Sequence, residues 1–96
     1  MVEADFLAAV DRLEAGSHRI SRLGAGIIVA LQLGIARDSR SFARLLGVAH
    51  ALVLREVTEL GQDGGFITIE RREARTLRVH YSLSANGRKL LEITEK

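Results

Sequence analysis

Ser41-Phe42-Ala43-Arg44-Leu45-Leu46-Gly47-Val48 is the stretch on which the reading of this chain turns. Ala43 supplies a small side chain where two helices must cross closely. Gly47, four residues on, supplies the φ > 0 that a tight interhelical turn requires. The segment therefore predicts a short helix, a turn and a second helix. Ser39 or Ser41 is placed to cap the short helix, and Phe42, Leu45 and Leu46 form its inward side. The next helix runs from about Ala49, and Val53, Val57 and Leu60 repeat along it at four and three residues. That spacing makes one buried stripe and leaves His50, Ala51, Leu54, Arg55 and Thr58 nearer the outside.

Downstream, Gly61 to Gly65 is a turn region, and Phe66-Ile67-Thr68-Ile69 is β-prone. Leu77, Val79, Tyr81 and Leu83 then alternate with Arg78, His80 and Ser82, which predicts a strand with one dry face and one wet face. Glu70 to Arg75 makes a charged hairpin tip between the two strands. Ser84 caps a last helix carrying Leu90, Leu91 and Ile93. Upstream, Phe6, Leu7, Val10 and Leu13 recur at helical spacing before Gly16, an amphipathic first helix. Ser17 or Ser21 can cap a second helix to about Leu33, with Ile20, Leu23, Ile27, Ile28 and Leu31 on its apolar side and Gly34 at its end. Gly24 and Gly26 within it mark either a break or a close helix contact.

The sum is an α+β chain with no proline, no low-complexity tract and no internal repeat, hence no linker at which to divide it. We read residues 1–96 as one domain: an N-terminal helix over 1–16, a helix-turn-helix over 39–61, a hairpin over 66–83 and a C-terminal helix over 84–96. A chain of 96 residues hides only roughly 60–65% of its unfolded surface, so it has little volume to spare for an enclosed substrate pocket. No apolar run approaches the ~18 residues that cross a membrane. Glu3 and Asp5 follow Met1 where a secretory signal would be basic and then apolar. There are no cysteines, so no disulfide framework, thiolate nucleophile or zinc ribbon is available, and a cytoplasmic location fits. Net charge is +2, but residues 1–16 carry −3, residues 17–62 carry +3 and the remainder +2. Arginine supplies 12 of the 14 cations. Its planar fork suits phosphate oxygens and guanine edges, although heavy arginine usage equally reflects a G+C-rich genome.

In order and spacing these pieces resemble the winged helix-turn-helix regulators of the MarR kind. There a short helix ending in Leu-Gly-Val leads to a recognition helix, a glycine precedes the first wing strand, and the second wing strand runs into Leu-Thr-x-x-Gly-Arg. The counterparts here are Leu46-Gly47-Val48, then Gly64 or Gly65, then Leu83-Ser84-Ala85-Asn86-Gly87-Arg88, and the resemblance covers roughly residues 20–96. It implies a three-helix core with a two-stranded wing and additional N- and C-terminal helices. It further implies a homodimer joined through the terminal helices, with two recognition helices in successive major grooves of DNA. Ligand sensing in such folds uses a cleft between the dimer helices and the DNA-binding part, and no residue here identifies an effector. The chain departs from the pattern in two places. Its reading helix begins with apolar Ala49, Ala51, Leu52 and Leu54 around His50, and its Glu73-Ala74-Arg75 stands about two positions from the usual wing-tip motif.

Arg55, projecting from the middle of the proposed recognition helix, is the leading candidate for a bidentate contact to guanine; its plain alternative is a surface ion pair with Glu56 or Glu59. Arg71, Arg72, Arg75 and Arg78 are candidates for phosphate or minor-groove contact, though alternation with Glu70 and Glu73 also fits a solvated hairpin. Arg40 and Arg44 would meet the phosphate backbone. His50 and Thr58 belong to the reading face, and Ala51 or Leu54 can touch thymine methyl groups. His80 is placed among solvent-facing strand residues. His18, His50 and His80 show no metal-ligand spacing, and Gly24-Ala25-Gly26 lacks the rest of a phosphate loop. No catalytic constellation is discernible, so no enzyme, cofactor or metal is expected. The partner expected is double-stranded DNA, with a second copy pairing through the first helix to add burial. The alternatives are a winged-helix module that binds another protein through its apolar fourth helix, and a non-specific nucleic-acid binder acting through arginine alone.

Overall fold

The computed structural model describes residues 2–16 and 20–94 and is α+β, with five helices and one two-stranded antiparallel sheet. Ser17 and His18, and the last two residues of the C-terminal segment, lie outside the described residues. The central element is α2 (Arg22–Gln32), in which every residue from Gly24 to Ala30 is buried, the mark of a helix enclosed on several sides. Ser21 caps it, accepting from the Gly24 amide at 3.0 Å and donating its hydroxyl to Glu56. The helix runs unbroken through both internal glycines, and Gly26 marks a close approach. A Cβ there would stand 3.3 Å from Phe42 Cζ and 3.7 Å from Phe6 Cζ, so its absence seats two aromatic rings against the backbone.

Helix α1 (Val2–Gly16) packs on α2 and buries Phe6, Val10 and Leu13 in the chain's own core. Leu7, expected on the same apolar side, stays 47% exposed because the contact with α2 takes only a narrow stripe. Helix α3 (Ser39–Leu46) is capped by Asp38, not by Ser39 or Ser41. The Asp38 carboxylate accepts from the Ser41 amide at 2.9 Å and from its hydroxyl at 2.7 Å. The inward stripe is Ser39, Phe42 and Ala43, all buried, and Leu45 and Leu46 are exposed, a correction to the expected inward set. Gly47 follows in the left-handed region at φ 66°, ψ 33°, its amide bonded to the Ala43 carbonyl. Nothing lies within 4 Å of a Cβ placed there, so the demand for glycine is conformational and not a matter of space.

Helix α4 (His50–Leu60) buries Val53, Val57 and Leu60 as its spacing predicts. Strands β1 (Ile67–Arg72) and β2 (Val79–Leu83) pair with Ile67 opposite Leu83 and Arg72 opposite Val79. A bulge at Glu70 lets Ile69 meet Tyr81 while Arg71 meets His80. The hairpin tip is therefore Glu73 to Arg78, later than expected, and Leu77 belongs to it instead of to the dry face of the second strand. The tip closes on itself, with the Glu73 amide bonded to Arg78 O at 2.8 Å and the Leu77 amide to Glu73 O at 2.9 Å, and these bonds end the alternation before Leu77. Helix α5 (Ala85–Thr94) returns to α1, buries Leu91 and leaves Ile93 65% exposed. No helix among the described residues is long and apolar enough to cross a membrane.

Two substitutions probe this core. Phe42 is fully buried beneath α2, so Phe42→Ala should cost about 3–5 kcal/mol in urea unfolding, much of a small domain's stability. Tyr81 is 3% exposed and its hydroxyl has no partner among the described residues. Burial, helped by Asp38, pushes that hydroxyl's pKa well above its ordinary value. Tyr81→Phe should leave stability unchanged or raise it by up to about 1 kcal/mol; a clear loss in the same unfolding assay would mean the hydroxyl is bonded.

Candidate nucleic-acid interface

The hairpin is fastened to the α3–α4 pair by polar groups at its root. Asp38 forms an isolated antiparallel bridge with His80, and the Tyr81 amide donates to Arg37 O at 3.2 Å, so residues 37–38 are bonded to the outer edge of β2. Ser39, fully buried, accepts from the Val79 amide at 3.0 Å and lies 2.8 Å from His50 Nε2. The Ser39 hydroxyl thus hydrogen-bonds both the hairpin amide and the His50 imidazole, the direction of the second bond following the His50 tautomer. Arg78 Nη1 donates to Asp38 at 2.9 Å, in a pair whose side chains are 28% and 11% exposed. Burial alone would raise the Asp38 pKa, but the Ser41 hydroxyl and amide and the Arg78 charge outweigh it and hold the carboxyl below its usual range. From α3, Arg40 donates through Nε and Nη2 to the Thr76 carbonyl at 2.9 and 2.7 Å, gripping the hairpin tip.

These bonds separate the candidate residues into two groups. His50, Arg40 and Arg78 engage partners within the protein, and these contacts hold the hairpin in place. Arg71 is exposed, with its guanidinium 3.4 Å from Glu73 and 3.0 Å from His80. His80 is half-buried, not solvent-facing, and its Nε2 lies 2.6 Å from Glu73. That shorter contact makes Nε2 the donor, so Arg71 is held mainly by the carboxylate. With His80 and Thr76 as its main partners, Glu73 is kept ionised below its ordinary pKa. The second group comprises Arg44, Arg55, Arg72 and Arg75, which are exposed and have no side-chain partner among the described residues; Arg37, which the spacing did not single out, is in the same state.

On α4, Ala51, Arg55 and Thr58 share one exposed face at intervals of four and three. The Thr58 hydroxyl turns back to Leu54 O at 2.9 Å, which presents its methyl group outward. Leu54 is half-buried, whereas Leu52 is 49% exposed. Between α4 and the hairpin runs an open cleft of about 490 Å³ lined by Leu54, Thr58, Arg72, Ala74, Leu77 and Val79, with Glu73 beside them. Arg72 lines this cleft, while Arg55 precedes Thr58 by three residues on α4 and Arg75 lies in the hairpin tip. Arg44 follows Arg40 by one turn of α3. Helix α4 has no side-chain cap, since Ala49 occupies that position, and its first amides are open to an anion. The arrangement offers free guanidinium groups around an apolar trough. Among the described residues no three of His, Asp and Glu converge as a metal site.

Spacing did not reveal Asp38 or Ser39 as the hinge of this arrangement. The available signal was the Asp38-x-x-Ser41 pattern, an acidic cap three residues ahead of a backbone amide. The chain matches no protein-family model, no curated protein and no solved structure.

His50 gives the interface a pH signature. Its burial lowers its pKa, as do Arg40 and Arg78, against a smaller opposite pull from Asp38. A base whose pKa is depressed on folding takes up its proton more readily in the unfolded chain, so its contribution is complete well above about pH 6.5 and is lost as pH falls below it. The melting temperature should therefore drop between about pH 7.5 and 5.5. The drop should be smaller in His50→Asn; an equal drop in both proteins would remove His50 as its source.

Proposed function

We propose that this chain binds double-stranded DNA and regulates transcription as a winged helix-turn-helix protein of the MarR kind, most simply as a repressor that occupies its operator. The observation that supports the reading is the fastening of the hairpin beside α3 and α4, with Arg55 on α4 and Arg72 and Arg75 on the hairpin left exposed and free of side-chain partners. In this reading α4 is the recognition helix and the hairpin is the wing. Arg55, Ala51 and Thr58 meet base edges, while Arg44, Arg72 and Arg75 set the register on phosphates. Two copies pair through α1 and α5, where Leu7 and Ile93 remain exposed on neighbouring helices. Such pairing places two copies of α4 along one face of the duplex.

A second reading, a winged-helix module that docks on another protein, is favoured by one feature, the apolar character of Leu52 and of the cleft at Leu54 and Leu77. Gel-shift titration on a random duplex pool at two salt concentrations separates the two, because absence of any shift leaves only the docking module. For the DNA reading, Arg55→Ala should weaken one preferred sequence by about 1–3 kcal/mol relative to others. Arg72→Ala and Arg75→Ala should instead weaken every duplex alike, each lowering the salt slope by about 1. Equal losses on all sequences for Arg55→Ala would take base reading away from that residue.

A further inference from the structure

Leu77 is the one described residue other than glycine with a positive φ, at 62°, and its side chain is 58% exposed. A leucine in the left-handed region sets its Cβ against its own carbonyl, a strain that glycine escapes and asparagine tolerates. Burial does not repay that strain, since most of the side chain faces solvent. The conformation is nonetheless enforced from both flanks. Arg40 holds the carbonyl of Thr76, Arg78 is tied to Asp38, and the Leu77 amide is bonded to Glu73 O. Strain that the surroundings over-determine, carried by an exposed apolar side chain, points to a contact made outside the chain. The neighbours define its chemistry: Leu77 lines the cleft opposite Leu54 beside Ala74, with the free guanidinium of Arg72 on the same cleft and that of Arg75 two residues away in the tip.

We propose that Leu77 is an apolar contact to DNA, presented by the hairpin tip into the minor groove beside the phosphate contacts of Arg72 and Arg75, where it favours flexible pyrimidine–purine steps. The proposal rests on the duplex-binding reading and adds to it a source of selectivity that is neither charge nor hydrogen bonding. An aliphatic wedge at a groove gains most where base steps open easily, such as TA, and least on a stiff A-tract.

The test uses Leu77→Asn, which relieves the backbone and removes the apolar group, and Leu77→Met, which keeps both strain and apolarity. The Asn variant should melt at the same or a higher temperature than the parent, yet bind duplex DNA about fivefold or more weakly at fixed salt. The slope of affinity against salt should not change, because no phosphate contact is lost. The Met variant should bind within about twofold of the parent. Replacing TA steps beneath the hairpin by an A-tract should weaken the parent and leave the Asn variant nearly unaffected. Parent-like affinity in the Asn variant, or a changed salt slope, would overturn the Leu77 contact and leave DNA binding standing. Failure of the parent to bind any duplex would overturn the duplex reading itself, and the contact with it.

Discussion

Ser39 is the junction on which the arrangement of this molecule depends. Its hydroxyl oxygen receives the Val79 amide from the hairpin and hydrogen-bonds His50 at the start of α4, while the residue itself opens α3. One buried atom therefore joins three elements. A two-stranded ribbon has marginal stability in water and takes its position from whatever it packs against. Here Ile67, Val79 and Tyr81 supply apolar burial, and Ser39, with Asp38 holding Arg78, determines the angle at which the ribbon leaves the helices. Loss of a partner inside such a network is costly, because the remaining groups stay buried without water to replace it.

The helices were legible in the sequence wherever apolar spacing was long and regular. Val53, Val57 and Leu60 announced the buried side of α4, and Phe6, Val10 and Leu13 that of α1. Legibility failed where a polar residue took an inward place. A period-based reading assigns Leu45 and Leu46 to the core of α3 because it has no reason to bury Ser39. Yet Ser39 is worth burying only for the strand amide that it receives from 40 residues away. The same blindness displaced the hairpin tip. Leu77 extends the apolar alternation perfectly on paper, and only the bonds of Glu73 with Leu77 and Arg78 show that the strand has not yet begun.

Which arginines are engaged within the protein and which are free was not legible residue by residue. Arginine has five donors and no acceptor, so it serves as readily to tie a loop as to meet a phosphate. Arg40 and Arg78 do the first, and sequence cannot distinguish them from Arg72 and Arg75, because what differs is the presence of a carbonyl or carboxylate at the right distance in space. Cationic density along the chain therefore overstated the charge available to a partner. The arginines engaged internally hold the hairpin from which Arg72 and Arg75 extend free.

That division has an energetic consequence for recognition. A partner that had to order a flexible hairpin would lose part of its binding free energy to the conformational entropy of side chains and loop. With the tip gripped at Thr76 and the root tied at Asp38, that ordering is completed during folding, and association need only desolvate the free guanidinium groups and the apolar cleft. Phosphate contacts then add affinity without adding sequence preference. In the duplex-binding reading that we propose, discrimination would fall to the few side chains that can touch bases, and on α4 the exposed candidates are small or aliphatic apart from Arg55. A reading surface of this composition gains selectivity through shape, methyl groups and duplex deformability more than through hydrogen-bond patterns. A fixed hairpin would make that proposed mode workable, because a wedge of aliphatic carbon discriminates between base steps only when it cannot retreat from them.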